Sequence, residues 1–190
     1  VGSWRVRITI PTILTLVRIA LIPILVVAFY LPWSGANQLS VGIFILAALT
    51  DWADGWVARK FEMSSRLGAF LDPVADKLMV AVALVLIVQA NPEVILAVAA
   101  AVIIGREITV SALREWMAII GESAKVQVQW IGKLKTIAQM VAIGFCLYGE
   151  ALFGLPILAI GQMLLVIAAA LTLISMSMYL RAAWPALKAK

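Results

Sequence analysis

Six long apolar runs, set apart by short polar connections, constrain this 190-residue chain more than any other feature. About 20 apolar residues carry a helix across the hydrocarbon core of a bilayer. Runs near that length extend over Ile10 to Leu31, Leu39 to Val57, Leu71 to Gln89, Val94 to Met117, Thr136 to Phe153 and Pro156 to Leu180. They are rich in Leu, Ala and Met and lack the alternation of barrel strands, so they predict helices. Turn signals at Pro32-Trp33-Ser34-Gly35, Asn91-Pro92 and Gly154-Leu155-Pro156 separate them. Apolar residues make up 64% of the chain and charged ones 13%, far from the balance of a water-soluble domain. These features predict an all-α integral membrane protein in which residues 1–190 form one domain of six transmembrane helices.

Lys and Arg set the orientation. Arg5, Arg7, Arg59, Lys60, Arg66, Lys125, Lys133, Lys135, Arg181, Lys188 and Lys190 fall on one side; the connections around 32–38, 90–93 and 154–155 hold none. Both termini and the 58–70 and 118–135 connections are therefore expected in the cytoplasm. Trp4-Arg5-Val6-Arg7-Ile8 alternates basic and apolar residues and reads as part of an interfacial segment, residues 1–9, lying on the membrane. The first apolar run is too long for a signal peptide and carries Arg18. Tryptophans 4, 33, 130 and 184 fit an interfacial belt. The net charge of +5 comes from residues dispersed among apolar segments, not from a nucleic-acid surface. Cys146, the single cysteine, lies in an apolar stretch and reads as a small buried hydrophobe. With no histidine in the chain, a histidine base or a histidine zinc site is excluded.

The only four aspartates, Asp51, Asp54, Asp72 and Asp76, fall within 26 residues at the inner ends of the second and third runs. Asp51 and Asp54 are three apart and Asp72 and Asp76 four apart, so each pair shares a helical face. Four carboxylates gathered away from water need a counter-charge. A hard divalent cation supplies one, and all-oxygen ligation suits Mg²⁺, Mn²⁺ or Ca²⁺. Four ligands on two helices leave room for two ions. The bland alternative pairs the acids separately with Arg59, Lys60, Arg66 or Lys77. Gly55 and Gly68 serve either close helix packing or the approach of a ligand.

Asp51-Trp-Ala-Asp54-Gly55-Trp-Val-Ala58-Arg59, followed by Gly68, Asp72 and Asp76, fits D-x2-D-G-x2-A-R-x8-G-x3-D-x3-D. This resembles the signature of the CDP-alcohol phosphotransferase family. The likeness continues through Ile10-Pro-Thr-Ile-Leu-Thr-Leu-Val-Arg18, Gly68 to Lys77, Arg106 to Trp116 and Trp130 to Thr136. One position departs: Thr12 stands where many members carry Asn. The resemblance implies a six-helix fold, usually dimeric, in a bacterial inner membrane, with its site open to the cytoplasm. It implies transfer of a phosphatidyl group from CDP-diacylglycerol to sn-glycerol 3-phosphate, giving phosphatidylglycerophosphate and CMP. It also implies metal ligation by Asp51, Asp54 and Asp72, with Mg²⁺ or Mn²⁺, and a general-base role for Asp76, which shares a second ion. Gly55, Ala58, Arg59, Gly68 and Thr12 fall where CDP-lipid contacts are expected.

Arg18 lies about eight residues into the first run, roughly 12 Å along a helix axis, and Arg106 and Glu107 lie within the fourth. Charges at such depth mark a polar cavity. Arginine suits bidentate phosphate binding, so Arg18, Arg106, Arg114, Lys133 and Lys135 are candidates for holding the acceptor phosphate. The other reading makes Glu107, Ser111, Arg114 and Glu115 part of an ion-pair ladder, and Lys133 and Lys135 mere cytoplasmic anchors. Inositol phosphate, serine or phosphatidylglycerol stand as alternative acceptors. Buried acids also suit a cation or proton transporter, although these cluster at one end.

Overall fold

The computed structural model describes residues 9–61, 66–119 and 130–188, excluding the side chains of 58, 59, 66, 69, 130–134, 182, 183 and 185–188. The interfacial segment expected ahead of the first span, Thr9 apart, lies outside the described residues, as do Lys125 and the side chains of Ala58, Arg59 and Lys133.

Among the described residues six helices follow one another: α1 (Ile10–Phe29), α2 (Ala36–Phe61), α3 (Arg66–Ala90), α4 (Val94–Ile119), α5 (Trp130–Tyr148) and α6 (Ile157–Lys188). Among the described residues four are long and apolar enough to cross a membrane, over Ile10–Phe29, Ala36–Val57, Val94–Ile119 and Ile157–Arg181. The described apolar part of α5 is shorter, Lys135–Tyr148, and α3 carries Asp72, Asp76 and Lys77 in its first half.

The expected fifth span ran to Phe153, and this boundary is corrected. Gly149 takes φ 69°, the left-handed conformation that closes a helix, and its N–H reaches Phe145 O at 3.1 Å. Leu152 and Leu155 then exchange backbone hydrogen bonds of 3.1 and 2.9 Å. They do so around Phe153 and Gly154, both at positive φ, the backbone pattern of a tight hairpin turn. Ala151, Leu152 and Phe153 are apolar despite Glu150 before them, so hydropathy averaged over the run overran the helix end.

The chain divides into two compact units, Val1–Leu86 and Ile87–Lys190. In the first, α1 packs along α2. The buried face of α1 is polar in its first half, with Thr12, Thr15 and Arg18, and apolar in its second, with Leu21, Leu25 and Ala28. Spacings of three and four place these on one stripe. Ile13, Val17, Ile24 and Val27 are exposed, as lipid-facing residues are. Pro73 sits within α3 directly after Asp72, where it removes one backbone donor from the helix ladder.

In the second unit α4 and α5 each pack against α6. Packing between membrane helices relies on close van der Waals fit, which small residues permit. Gly161 on α6 shows how close that fit is: a Cβ there would stand 2.8 Å from Phe145 Cβ and 2.9 Å from the Cys146 backbone nitrogen. Cys146 is a buried free thiol, as expected. Trp33 and Trp184 are exposed, consistent with belt positions.

Candidate active site

Asp51, Trp52, Asp54 and Gly55 from α2, with Asp72, Pro73 and Asp76 from α3, line one cavity of the first unit. The i,i+3 and i,i+4 spacings bring this about, because helical order holds through both acidic segments. α1 contributes no acid but reaches two of these helices. Arg18 Nη1 stands 2.8 Å from Asp51 Oδ1, and its Nη2 donates to Asp54 Oδ2. Thr15 Oγ1 donates to Asp72 Oδ1 at 2.5 Å. Asp54 and Arg18 are buried, while Asp51 is about half exposed, 50% of its side chain. Arg18, a candidate for the acceptor phosphate, is thus paired with two aspartates among the described residues. Lys60 sits over the Trp56 ring at 4.4 Å. Thr12 is buried and meets Thr9 Oγ1 at 2.9 Å. Gly68 is buried at the start of α3.

The second unit holds a basic network. Glu107 Oε1 accepts from Arg106 Nη1 at 2.9 Å and from Lys135 Nζ at 2.8 Å. Arg106 Nη2 reaches Ser175 Oγ at 3.3 Å, and its Nε is buried with no hydrogen-bond partner among the described residues. Arg114 Nη2 donates to the Tyr179 hydroxyl at 3.1 Å. Both guanidinium carbons stand near the Tyr179 ring, Arg106 at 5.6 Å and Arg114 at 5.3 Å from its centre, within cation–π range. Lys135, expected at the mouth of its span, is buried with 2% exposure. The ion pairs of Glu107 thus reach its chain neighbour and α5, and Arg114 is held by α6.

A family model described as CDP-alcohol phosphatidyltransferase matches residues 8–174. The chain belongs to the CDP-alcohol phosphatidyltransferase family. Relatives are similar over nearly their whole length. A protein of Salmonella choleraesuis (strain SC-B67), named CDP-diacylglycerol–glycerol-3-phosphate 3-phosphatidyltransferase, is 51% identical over 174 residues, covering 92% of this chain and 94% of its own. One of the same name from Pectobacterium atrosepticum is 53% identical over 174 residues, with the same coverage. Another from Pseudomonas fluorescens is 51% identical over 181 residues, 94% of this chain and 92% of its own.

CDP-alcohol phosphatidyltransferases generally use a divalent metal, and the donor set of the cavity fits one. Four carboxylates with no histidine or thiol are the oxygen ligands that hard cations take. Among the described residues no three acids stand together as a ligating group. Among the described side chains, Asp51 and Asp54 both face the guanidinium of Arg18.

Thr15, Ser175 and Tyr179 were missed as functional candidates. A signal for Thr15 was present: Thr12, Thr15 and Arg18 recur every three residues in an otherwise apolar run. Thr172, Ser175 and Tyr179, three and four residues apart, form a similar polar stripe on α6.

Proposed function

We propose that this protein transfers the phosphatidyl group of CDP-diacylglycerol to sn-glycerol 3-phosphate, giving phosphatidylglycerophosphate and CMP. The observation that carries the reading is the shared cavity of Asp51, Asp54, Asp72 and Asp76. Identity near one half to transferases named for this reaction supports the choice of substrates.

Asp51, Asp54, Asp72 and Asp76 would hold Mg²⁺ or Mn²⁺, two ions in all. Bound cations neutralise the donor diphosphate and make CMP a better leaving group. The attacking hydroxyl must lose a proton, and in a chain without histidine a carboxylate takes it. Asp76 is assigned that role. Gly55, Ala58, Arg59, Gly68 and Thr12 are assigned to the CDP-lipid. Arg106, Arg114, Lys133 and Lys135 are assigned to the acceptor phosphate. The buried, unpartnered Arg106 Nε supports that assignment, since a buried donor calls for an acceptor. Arg18 is assigned with these cations, and it also pairs with Asp51 and Asp54. The enzyme is placed in the bacterial inner membrane as a homodimer, with both termini and the site cytoplasmic.

Purified protein in detergent, given CDP-diacylglycerol and Mg²⁺ or Mn²⁺, should release CMP only with glycerol 3-phosphate present and form phosphatidylglycerophosphate. Asp72→Asn should abolish the release while remaining folded. Equal turnover with serine, inositol phosphate or phosphatidylglycerol would overturn the acceptor; full turnover by Asp72→Asn would overturn the site.

A further inference from the structure

Three of the four cavity aspartates are gripped from α1, a helix that contributes no acid of its own. Each grip takes one oxygen: Oδ1 of Asp51, Oδ2 of Asp54 and Oδ1 of Asp72. A carboxylate has two oxygens, so a grip on one leaves the second able to ligate an ion. We propose that Thr15 is a positioning residue whose hydroxyl orients Asp72 as a metal ligand, an inference that rests on the metal reading given above.

Thr15 is fully buried, so its hydroxyl has no water to turn to. A threonine hydroxyl carries one hydrogen, yet two acceptors lie in range. Asp72 Oδ1 is at 2.5 Å and the Pro11 carbonyl, one turn back on α1, is at 3.0 Å. A hydrogen bond to an ionised group is about twice as strong as one between neutral groups, so the carboxylate takes the proton. The Pro11 carbonyl is a ready fallback, letting Asp72 rearrange without stranding a buried donor. Arg18, one turn further along α1, fixes Asp51 and Asp54 in the same manner. The three contacts tie the α2 and α3 carboxylates to one helix. Partners of this outer kind set the rotamer of a ligand, and losing one lowers metal affinity by about 10–100-fold.

The test is Mn²⁺ binding to the full chain in detergent micelles, followed by the loss of the free-ion spin resonance signal. Thr15→Val removes the hydroxyl with little change of volume and should weaken Mn²⁺ binding by about 10–100-fold. Thr15→Ser should bind as the parent does. A purely structural threonine would lower the unfolding temperature and leave Mn²⁺ affinity alone, which overturns the proposal. Asp72→Asn serves as the control: if it binds Mn²⁺ like the parent, the metal reading fails and this inference with it. If Asp72→Asn is weakened and Thr15→Val is not, only the inference fails. Thr15→Ala repeats the measurement should the valine variant not be recovered folded.

Discussion

Arg18 and Asp54 form an ion pair with both side chains almost out of reach of solvent, at 1% and 3% exposure. Removing one partner of such a pair strands the other charge, a loss of about 3–5 kcal/mol. Arg18→Ala should therefore lower the unfolding temperature in detergent sharply. Arg18→Lys should recover part of it, since a single ammonium cannot fork between Asp51 and Asp54. An unchanged melting profile for the alanine variant would show that the pair does not hold the unit together.

Metal removal should separate chemistry from folding. Chelation is expected to stop CMP release, and added Mg²⁺ or Mn²⁺ to restore it, with the helical circular dichroism constant throughout. Loss of helix on chelation would mean that the ion is part of the scaffold.

Arg106→Ala should raise KM for glycerol 3-phosphate far more than for CDP-diacylglycerol. A charge-assisted hydrogen bond is worth about 1.5–3 kcal/mol, or roughly 10–100-fold in affinity. Equal shifts for both substrates would mark Arg106 as structural.

Tyr179 offers a graded version of the same measurement. Tyr179→Phe removes the hydroxyl that Arg114 reaches but keeps the ring beside both guanidinium groups, whereas Tyr179→Leu removes both. Acceptor KM should rise modestly in the first variant and further in the second. The opposite order would exclude the ring as a support for Arg106.

Gly161→Ala should lower stability by about 1–3 kcal/mol, the usual effect of overpacking. The added methyl would meet backbone of α5, which cannot swing aside as a side chain can. Thermal unfolding in detergent measures it, with Gly144→Ala, where a Cβ meets open space, as the comparison.

Hydropathy and turn residues carried the helix count and most boundaries, because lipid demands long apolar helices. They failed at Tyr148, where a left-handed Gly149 ends α5 and Glu150 follows, while Ala151, Leu152 and Phe153 keep the average apolar. Aspartate spacing carried the cavity, since a helix converts three- and four-residue intervals into a shared face. Partners from distant helices were not legible: nothing in the spacing of Arg18 to Asp54, or of Glu107 to Lys135, encodes their contact. The depth of Arg18 is readable in the sequence, but its two aspartate partners are not.

A single oxygen of Glu107 serves both Arg106 and Lys135. Under the proposed acceptor assignment, any incoming group must compete with this resident anion for cations already engaged. A doubly charged phosphate can win that contest; a zwitterionic amino acid, with its own ammonium, is at a disadvantage. Discrimination among alcohols would then be set by an exchange of anions, with Glu107 as the standard each candidate has to beat.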